Sequence, residues 1–238
     1  MNILIPAAGK GSRFLGSKYT LPKPQIIVDG EPMIITAAKK LGFTGRFIFI
    51  IQEHENRENT AAAIYANFDK CDVAVIDFYT DGPAETALIA KDLIDTEEEL
   101  VIANCDQIMD WRYWNGDIAL KQLRKYDAGI VTVQSNDPKH SYARISDNTV
   151  YEVQEKIVIS DHALTGIHYW KQGSDFVRTA SKMLSENARS SNGEFYIGPT
   201  YNYLINENKK IGSYQIDQKA IHFIGTSEDL EIYESRQT

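Results

Sequence analysis

Cysteine and long apolar runs are both scarce in this 238-residue sequence. Its two cysteines, Cys71 and Cys105, lie far apart and show no metal-ligand spacing. Because two cysteines cannot build a disulfide framework, we expect a reducing, cytoplasmic environment. No apolar run approaches the roughly 20 residues that span a bilayer. The short N-terminal run ends in Pro-Ala-Ala-Gly, which is not typical of a signal peptide. We therefore expect no membrane partner.

Basic residues are also in deficit. The chain has 25 Lys and Arg against 33 Asp and Glu, which gives a net charge of −8. A general nucleic-acid-binding protein is usually basic, so we expect no nucleic-acid partner. A small anionic ligand remains compatible with this charge, because local cations set the field around a site. We find no linker, repeat or low-complexity segment, and we predict one domain over residues 1–238.

Several catalytic and ligand-binding motifs are missing. The histidines form no His-x-x-x-His or similar ligand set, which argues against zinc. They are His54, His140, His162, His168 and His222. No Gly-x-Ser-x-Gly is present, so a serine-hydrolase elbow has no support. The glycine spacing at the N-terminus fits neither a Walker loop nor the dinucleotide fingerprint, which argues against a Rossmann dehydrogenase.

A glycine-rich turn is present directly after the apolar N-terminal strand. Gly9 and Gly11 can adopt φ values that other residues resist, and small residues let a ligand approach the backbone. Consecutive backbone N–H groups in such a turn form an anion-binding concavity, and Lys10, Arg13 and Lys23 add three cations. We predict a polyphosphate site, the alternative being a mobile surface loop with incidental glycines. The candidate residues are Ala7, Ala8, Gly9, Lys10, Gly11, Ser12, Arg13 and Lys23.

Strand and helix patterns alternate through the first half of the chain, which predicts parallel crossover units and a layered α/β sheet. Strands are predicted at 2–5, 46–51, 72–76 and 100–103, and helices at 32–41, 58–66 and 83–93. Ligands of such sheets bind at the carboxyl ends of the strands. The glycine-rich turn, Asp81-Gly82 and Asn104-Cys105-Asp106 all lie at such ends.

Shorter strand patterns follow in the second half. Those at 129–133, 142–145, 150–153 and 165–170 predict a partly antiparallel extension of the sheet, and 211–216 is a further strand. Helices are predicted at 174–185, 195–206 and 227–233. Thr226 is a candidate N-cap for the last helix, whose first turn is acidic.

Asp106 follows a strand of almost purely apolar residues. An acid at this place suits Mg²⁺, a hard cation that binds carboxylate oxygens and keeps water and phosphate as its other ligands. A turn or helix cap is the alternative role for such an aspartate. Beside the predicted phosphate site we favour Mg²⁺ as a cofactor, with Asp106 as its ligand and Asp110 as a weaker second candidate.

Two further segments carry candidate binding residues. Gly82 and Glu85 lie in a turn that enters a helix, where they can contact a base or sugar edge. A plain proline-initiated helix start explains that pattern equally well. Glu155 and Lys156 follow the strand at 150–153, where a lysine can neutralise a second phosphate as a point charge. A solvated charge pair at a strand end is the alternative.

Together these segments resemble the nucleotidyltransferases that activate sugar phosphates and related phosphorylated alcohols. The resemblance is strongest to the short bacterial and phage-type members of capsule and surface-polysaccharide clusters. The matching marks span almost the whole chain in the family's order. They are residues 8–13, Pro22-Lys23-Pro24, residues 81–85, Asp106, Glu155-Lys156, the strand with Gly166, and the segments 195–202 and 225–230. The resemblance implies a Rossmann-like, glycosyltransferase-A type fold, a three-layer α/β/α arrangement with a mixed central sheet.

The resemblance also implies the reaction, in which an NTP and a phosphorylated acceptor give an NDP-linked product and pyrophosphate. Arg13 and the glycine-rich turn would hold the β- and γ-phosphates, and Lys23 would offset charge near the α-phosphate. Asp106 would hold Mg²⁺. The implied catalytic residues are Arg13, Lys23 and Lys156, and the implied acceptor-binding residues are Glu155, Lys156 and Gly166. The nucleotide-binding half would cover about 1–126 and the acceptor-binding half about 127–238.

One position departs from the family pattern. The family often has an aspartate metal ligand two residues before the C-terminal Gly-Thr, where this sequence has Phe223. An aromatic ring cannot ligate Mg²⁺, so either one carboxylate suffices or Asp110 or Glu194 substitutes. A non-catalytic module that binds a nucleotide-sugar is therefore a rival hypothesis, although the retained Arg13, Lys23 and Asp106 argue against it.

The side chain at position 85 indicates which nucleotide the protein binds. It stands where thymidylyl-transferring relatives carry glutamine, and an ionised glutamate can only accept hydrogen bonds. We therefore expect CTP ahead of GTP, with UTP and dTTP last. A glycosyltransferase that uses a nucleotide-sugar is the second rival, but Asn104-Cys105-Asp106 is not the Asp-x-Asp metal motif that it would want.

The acceptor is predicted only as a class, a sugar phosphate or another small phosphorylated compound. Four aromatic residues can line its pocket, although each can equally fill the core. They are Trp111, Tyr169, Trp170 and Tyr196. The sequence leaves a homo-oligomer open.

Overall fold

The computed structural model describes residues 1–53 and 57–236, so His54 lies outside the described residues. The first half contains β1 Asn2–Ala7, β2 Ile27–Val28, β3 Glu31–Pro32, α1 Met33–Lys40, β4 Arg46–Gln52, α2 Arg57–Asn67, β5 Cys71–Ile76, α3 Pro83–Leu88, α4 Lys91–Ile94, β6 Leu100–Ala103, β7 Gln107–Met109 and α5 Gly116–Leu123. The second half contains β8 Ala128–Gln134, β9 Ser141–Ser146, β10 Thr149–Glu155, β11 His162–Trp170, α6 Gly173–Ser185, α7 Thr200–Asn206, β12 Ile211–Ile216, β13 Ile221–Phe223 and α8 Ser227–Ser235.

Nine of the described strands form one mixed sheet in the order β5-β4-β1-β6-β11-β8-β12-β10-β9. β1 is central to the first half, where it runs parallel to both β4 and β6. β11 then pairs antiparallel with β6 and β8, and β9 and β10 form a further antiparallel pair. This arrangement confirms the predicted mixed α/β fold, with its parallel first half and its partly antiparallel extension.

Helices cover both faces of the sheet. Ile3 and Ile5 of β1 pack with α1 and α5 on one face, while Leu4 packs with α3, α6 and α7 on the other. Because successive strand residues point to opposite faces, a strand covered on both sides is apolar throughout. This explains the unbroken apolar runs of β1, β4 and β6, and it gives the three-layer α/β/α arrangement.

Several elements differ from the sequence predictions. The predicted helix at 195–206 begins only at Thr200, because the Phe195 N–H and carbonyl are hydrogen-bonded to Asp81 and to Ala84 at the start of α3. The predicted helix at 83–93 is divided into α3 and α4 at Ala90, whose N–H donates to the carbonyl of Ala87 instead of continuing the α-helical pattern. The short antiparallel pair β7–β13 and helix α5 were not predicted.

Two further observations concern the helices. Thr226 caps α8 as expected, since its Oγ1 accepts from the Asp229 N–H at 3.1 Å. In residues 1–53 and 57–236, every helix is too short or too polar to cross a bilayer.

Candidate functional site

The glycine-rich turn begins where β1 ends, at the carboxyl edge of the parallel strands. Ala7 and Ala8 are buried, whereas Gly9, Lys10, Ser12 and Arg13 are exposed. Gly11 adopts a left-handed conformation with φ of 62° and precedes a 3₁₀ turn at Ser12–Phe14. The turn therefore presents its backbone and two basic side chains to solvent, as an anion site requires.

A partly buried ion pair lies beside this turn. Lys23, in a 3₁₀ turn that follows Pro22, donates from Nζ to Oδ2 of Asp106. The two side chains are only 13% and 19% exposed. The predicted phosphate-binding lysine and the predicted metal ligand are thus in direct contact, although they are 83 residues apart in the chain.

The charge state of this pair follows from its neighbours. Burial raises the pKa of Asp106, but the nearby ammonium of Lys23 and guanidinium of Arg13 outweigh burial, so the net pKa is lowered. Asp106 is therefore ionised at neutral pH. Burial raises the pKa of the adjacent Cys105 thiol to about 11, so this cysteine is neutral and not a reactive thiolate.

The C-terminal Gly-Thr segment completes the wall around Asp106. The Ile224 N–H donates to the Asp106 carbonyl at 2.9 Å. A Cβ on Gly225 would lie 2.9 Å from Asp106 Oδ2 and 3.6 Å from Arg13 Nη1. Glycine at 225 therefore lets three distant segments meet, and it places Arg13 beside the same carboxylate as Lys23.

The structure does not bring the other candidate metal ligands to Asp106. Asp110 lies at the opposite end of the β7–β13 pair, where Arg112 binds its carboxylate at 2.5 to 3.0 Å and lowers its pKa to about 2. Glu194 accepts from Asn192 at 2.9 Å in another part of the site. Within the described ranges, no three His, Cys, Asp or Glu residues are grouped to hold a metal ion.

Phe223, at the place where a second aspartate was expected, packs its ring against His140 with centroids 4.8 Å apart. Phe223 thus supplies no carboxylate, and of the three candidate metal ligands Asp106, Asp110 and Glu194, Asp106 is the one paired with Lys23. One ionised and partly accessible carboxylate fits Mg²⁺, which commonly takes one or two protein carboxylates and completes its shell with waters and phosphate oxygens.

The predicted nucleotide turn is anchored to a distant segment. Gly82 has φ of 137°, and a Cβ there would lie 2.5 Å from the Phe195 carbonyl oxygen. The Phe195 N–H donates to the Asp81 carbonyl at 2.7 Å, and the Ala84 N–H donates to the Phe195 carbonyl at 3.0 Å. Glu85 Oε2 accepts from the Asp81 N–H at 2.5 Å. Gly82 is therefore needed for the conformation of this turn, and one oxygen of Glu85 is hydrogen-bonded within it.

Two of the predicted acceptor residues, Glu155 and Lys156, lie where β10 ends. Lys156 has φ of 56°, and its Nζ donates to the Tyr196 hydroxyl at 2.7 Å. Glu155 is 7% exposed and accepts from the Ser141 hydroxyl. Burial raises the pKa of Glu155 to about 7, against the lowering effects of Ser141 and Lys156. The two neighbours therefore have different environments, since Glu155 is buried against Ser141 and Lys156 is partly exposed and bonded to Tyr196.

Gly166 lies in a bulge of β11, where its carbonyl accepts from the Asn104 N–H at 3.2 Å. A Cβ at this position would lie 2.3 Å from Asn104 Nδ2. Gly166 thus brings β11 against the residues that lead to Asp106, which connects the two predicted halves of the site.

The aromatic candidates separate into two groups. Tyr169 and Trp170 are buried in the core, with the Tyr169 hydroxyl bonded to Glu99 at 2.9 Å. Trp111 is exposed and donates to the Lys40 carbonyl. Of the four, Tyr196 is the one beside Lys156.

Sequence reasoning missed Ser141, because only the β9–β10 register brings it opposite Glu155.

The chain matches the family model for nucleotidyl transferases over residues 2–230, nearly its whole length. It is 25% identical over 222 residues to the bifunctional protein GlmU of Methanocaldococcus jannaschii, covering 89% of this chain and 48% of that protein. The chain therefore spans about half the length of this curated relative.

Solved structures share the fold. The nucleoside-diphosphate-sugar pyrophosphorylase from Vibrio cholerae RC9 has a TM-score of 0.82 at 24% identity, with 97% of this chain and 98% of that chain covered. The inositol-1-phosphate CTP transferase from T. maritima has a TM-score of 0.74 at 14% identity, covering 98% and 93%. A UDP-glucose pyrophosphorylase in complex with UDP-glucose has a TM-score of 0.75 at 19% identity, covering 99% and 98%.

Proposed function

Because the chain belongs to the nucleotidyl transferase family, we propose that it transfers a nucleotidyl group from an NTP to the phosphate of a small phosphorylated acceptor. An acceptor phosphate oxygen attacks the α-phosphorus, the bond from the α-phosphorus to its bridging oxygen breaks, and pyrophosphate leaves. The observation that carries the proposal is the partly buried Lys23–Asp106 pair beside the exposed glycine-rich turn.

Phosphoryl transfer of this kind is mostly positioning and charge stabilisation. The backbone N–H groups of the turn and Arg13 would hold the β- and γ-phosphates, which depart as pyrophosphate. Lys23 would stand at the α-phosphate, where negative charge develops in the transition state. Asp106 would hold Mg²⁺, which supplies charge neutralisation between the phosphates when it is bound.

The Lys23–Asp106 contact suggests how the free protein keeps both groups ready. Each charge neutralises the other while the site holds no substrate, which avoids an unpaired buried charge. On binding of the magnesium nucleotide, Lys23 would exchange Asp106 for a phosphate oxygen, and Asp106 would exchange Lys23 for the metal ion. Both exchanges keep every charge paired.

The acceptor needs orientation more than activation. The second pKa of a phosphate monoester is about 6, so its oxygens are largely ionised at neutral pH and no general base is required. Lys156 would bind this phosphate, and the buried Glu155 and Gly166 would shape the acceptor side. A sugar phosphate of surface-polysaccharide synthesis is the acceptor class that we favour, ahead of other small phosphorylated compounds.

For the nucleotide we favour CTP, followed by GTP. One oxygen of Glu85 accepts from the Asp81 N–H, which leaves the other to accept from the amino group of a base. Structural relatives include enzymes named for CTP and for UDP-glucose. These relatives do not favour one nucleotide, so the preference for CTP follows from the hydrogen-bond chemistry of Glu85 alone. CTP binding no tighter than UTP binding would contradict it.

A non-catalytic module that binds a nucleotide-sugar is the second candidate, favoured by Phe223 at the usual place of a metal ligand. One assay separates the two functions. Pyrophosphate release is measured with each NTP, with and without a panel of sugar phosphates and other phosphorylated compounds. We expect release with CTP, Mg²⁺ and one acceptor class. No release with any pair would favour the binding module.

A further inference from the structure

The Lys156 ammonium is held by a side chain from a distant part of the chain. Its Nζ donates to the Tyr196 hydroxyl at 2.7 Å and lies 4.9 Å from the centroid of the Tyr196 ring. An ammonium group has three N–H donors. One is bound to Tyr196, so two remain for the oxygens of a phosphate.

The Tyr196 hydroxyl is itself fixed. Asn192 Nδ2 donates to it at 2.9 Å and also to Glu194 Oε2 at 2.9 Å. Burial raises the pKa of Tyr196 above its ordinary value, and a hydrogen bond to Glu194 raises it further. The phenol therefore stays neutral, and its oxygen accepts from both Lys156 and Asn192.

Residues 189–196, here called the bridging segment, connect this hydroxyl to the nucleotide turn. Arg189 lies 4.2 Å from the centroid of the buried Phe195 ring, and its guanidinium donates to Asp81 Oδ2 at 2.9 Å and to the Gly193 carbonyl at 2.7 Å. The Phe195 backbone is bonded to Asp81 and Ala84. Tyr196 is the next residue, so its position is fixed by the turn that carries Gly82.

We propose that Tyr196 is a positioning residue that holds the Lys156 ammonium toward the acceptor phosphate, on a segment that also builds the nucleotide turn. This inference rests on the proposed nucleotidyl transfer. A free lysine side chain samples many rotamers, and a bound phosphate would restrict them. Tyr196 removes much of that freedom before the acceptor arrives, and such preorganisation lowers the cost of binding.

The kinetic test removes only the hydroxyl. Tyr196→Phe should raise the KM for the acceptor about tenfold, with kcat within about twofold of the wild type and the Kd for the NTP unchanged. The matched control is Tyr203→Phe on α7, whose hydroxyl donates to Glu186 at 2.8 Å. In a Lys156→Met background, Tyr196→Phe should have no further effect on KM, because there is no ammonium left to position. An unchanged or lower KM for Tyr196→Phe, or an equal loss in both backgrounds, overturns the proposal.

A second readout does not depend on turnover. In protein labelled with ¹⁵N-lysine, the Lys156 ammonium signal is identified by its loss in Lys156→Met, and inorganic phosphate serves as the probe. Tyr196→Phe should lower the order parameter of this ammonium. It should also weaken the phosphate affinity, measured from the phosphate-induced change in the chemical shift of this ammonium, about tenfold. Tyr203→Phe should change neither quantity. Equal order and equal phosphate affinity overturn the role of Tyr196. Absence of pyrophosphate release together with the expected NMR result would overturn the proposed function alone.

Discussion

At the level of single residues, the Lys23–Asp106 pair decides how charge is arranged in the site. Both side chains are largely buried, and Arg13 stands close enough to help lower the pKa of Asp106. The pair therefore brings two opposite charges to the place where a metal ion and a phosphate would exchange with them. Replacing Lys23 should chiefly change turnover, whereas replacing Asp106 should also change the response to Mg²⁺.

Lys23→Ala should reduce turnover far more than nucleotide affinity, because in the proposed mechanism the lysine acts on charge that develops in the transition state. We expect kcat to fall by roughly 10²- to 10³-fold, the usual loss for one such donor, with the Kd for the NTP changed by less than about tenfold. Steady-state kinetics and a binding titration measure the two quantities. A large loss of affinity at nearly normal kcat would mean that Lys23 binds only ground-state phosphate.

Asp106→Asn should weaken the apparent affinity for Mg²⁺ and lower kcat at least about 100-fold, since it removes the carboxylate that would hold the metal in the proposed mechanism. Asp110→Asn is the matched control. Its carboxylate binds Arg112 at the other end of the β7–β13 pair, so the apparent affinity for Mg²⁺ should not change. The reverse result, with Asp110 governing the metal response, would refute the one-carboxylate site. Magnesium titrations of initial rate decide between them.

Glu155 should make stability depend on pH. Burial raises its pKa from 4.5 to about 7, with Ser141 and Lys156 opposing and Glu194 adding to the rise. The folded state therefore binds the proton more tightly than the unfolded state does. This stabilisation is complete below about pH 4.5 and is lost as the pH rises through about 7.

Glu155→Gln cannot ionise, so the free energy of unfolding of the wild type relative to this variant should fall between pH 5 and pH 8. At about 1.4 kcal/mol per pKa unit, we expect a change on the order of 2 kcal/mol. Urea unfolding at several pH values measures it, with the exposed Glu97→Gln as a control that should show no such trend. A constant difference across this range would refute the assignment.

At the level of elements, the contact between the Asp81–Ala84 turn and Phe195 joins α3 to the bridging segment. It explains why the predicted helix at 195–206 begins late, since Phe195 uses its backbone N–H and carbonyl for the turn. The same contact explains why residue 82, which we predicted from the sequence to contact the nucleotide, is a glycine. Gly82 is required because the Phe195 backbone leaves no space for a side chain.

Gly82→Ala should destabilise the protein by roughly 2–4 kcal/mol, because the new Cβ meets the Phe195 backbone and a φ of 137° is strained for alanine. Gly9→Ala is the matched control, since a Cβ there has no heavy atom within 4 Å outside its chain neighbours. Its effect on stability should stay within about 0.5 kcal/mol. Thermal unfolding compares the two, and equal stability would contradict the packing argument.

At the level of the whole molecule, one sheet joins the two halves of the chain. β6 from the first half pairs with β11 from the second, and the bulge at Gly166 in β11 contacts Asn104 just before Asp106. The glycine-rich turn after β1 and Lys156 after β10 therefore follow strands of the same sheet. Division into nucleotide-binding and acceptor-binding halves stays a prediction about roles.

The fold followed from local patterns because buried parallel strands are continuous apolar runs and helices alternate with them. The same patterns located Lys23 and Asp106, since strand ends and glycine-rich turns are local features. The β7–β13 pair could not be predicted, because three-residue strands have too little periodicity and their pairing joins residues more than 100 positions apart. Contacts such as Lys156 with Tyr196 depend on that same tertiary assembly.

The fate of labelled phosphate tests the proposed transfer most directly. The wild-type protein is incubated with Mg²⁺, the acceptor and CTP labelled either at the α- or at the γ-phosphate, and the products are separated. We predict that the α-label enters the acceptor-linked product and the γ-label leaves in pyrophosphate. A γ-label found in the acceptor would mean kinase chemistry, and an α-label released as free nucleotide would mean hydrolysis; either result would contradict nucleotidyl transfer.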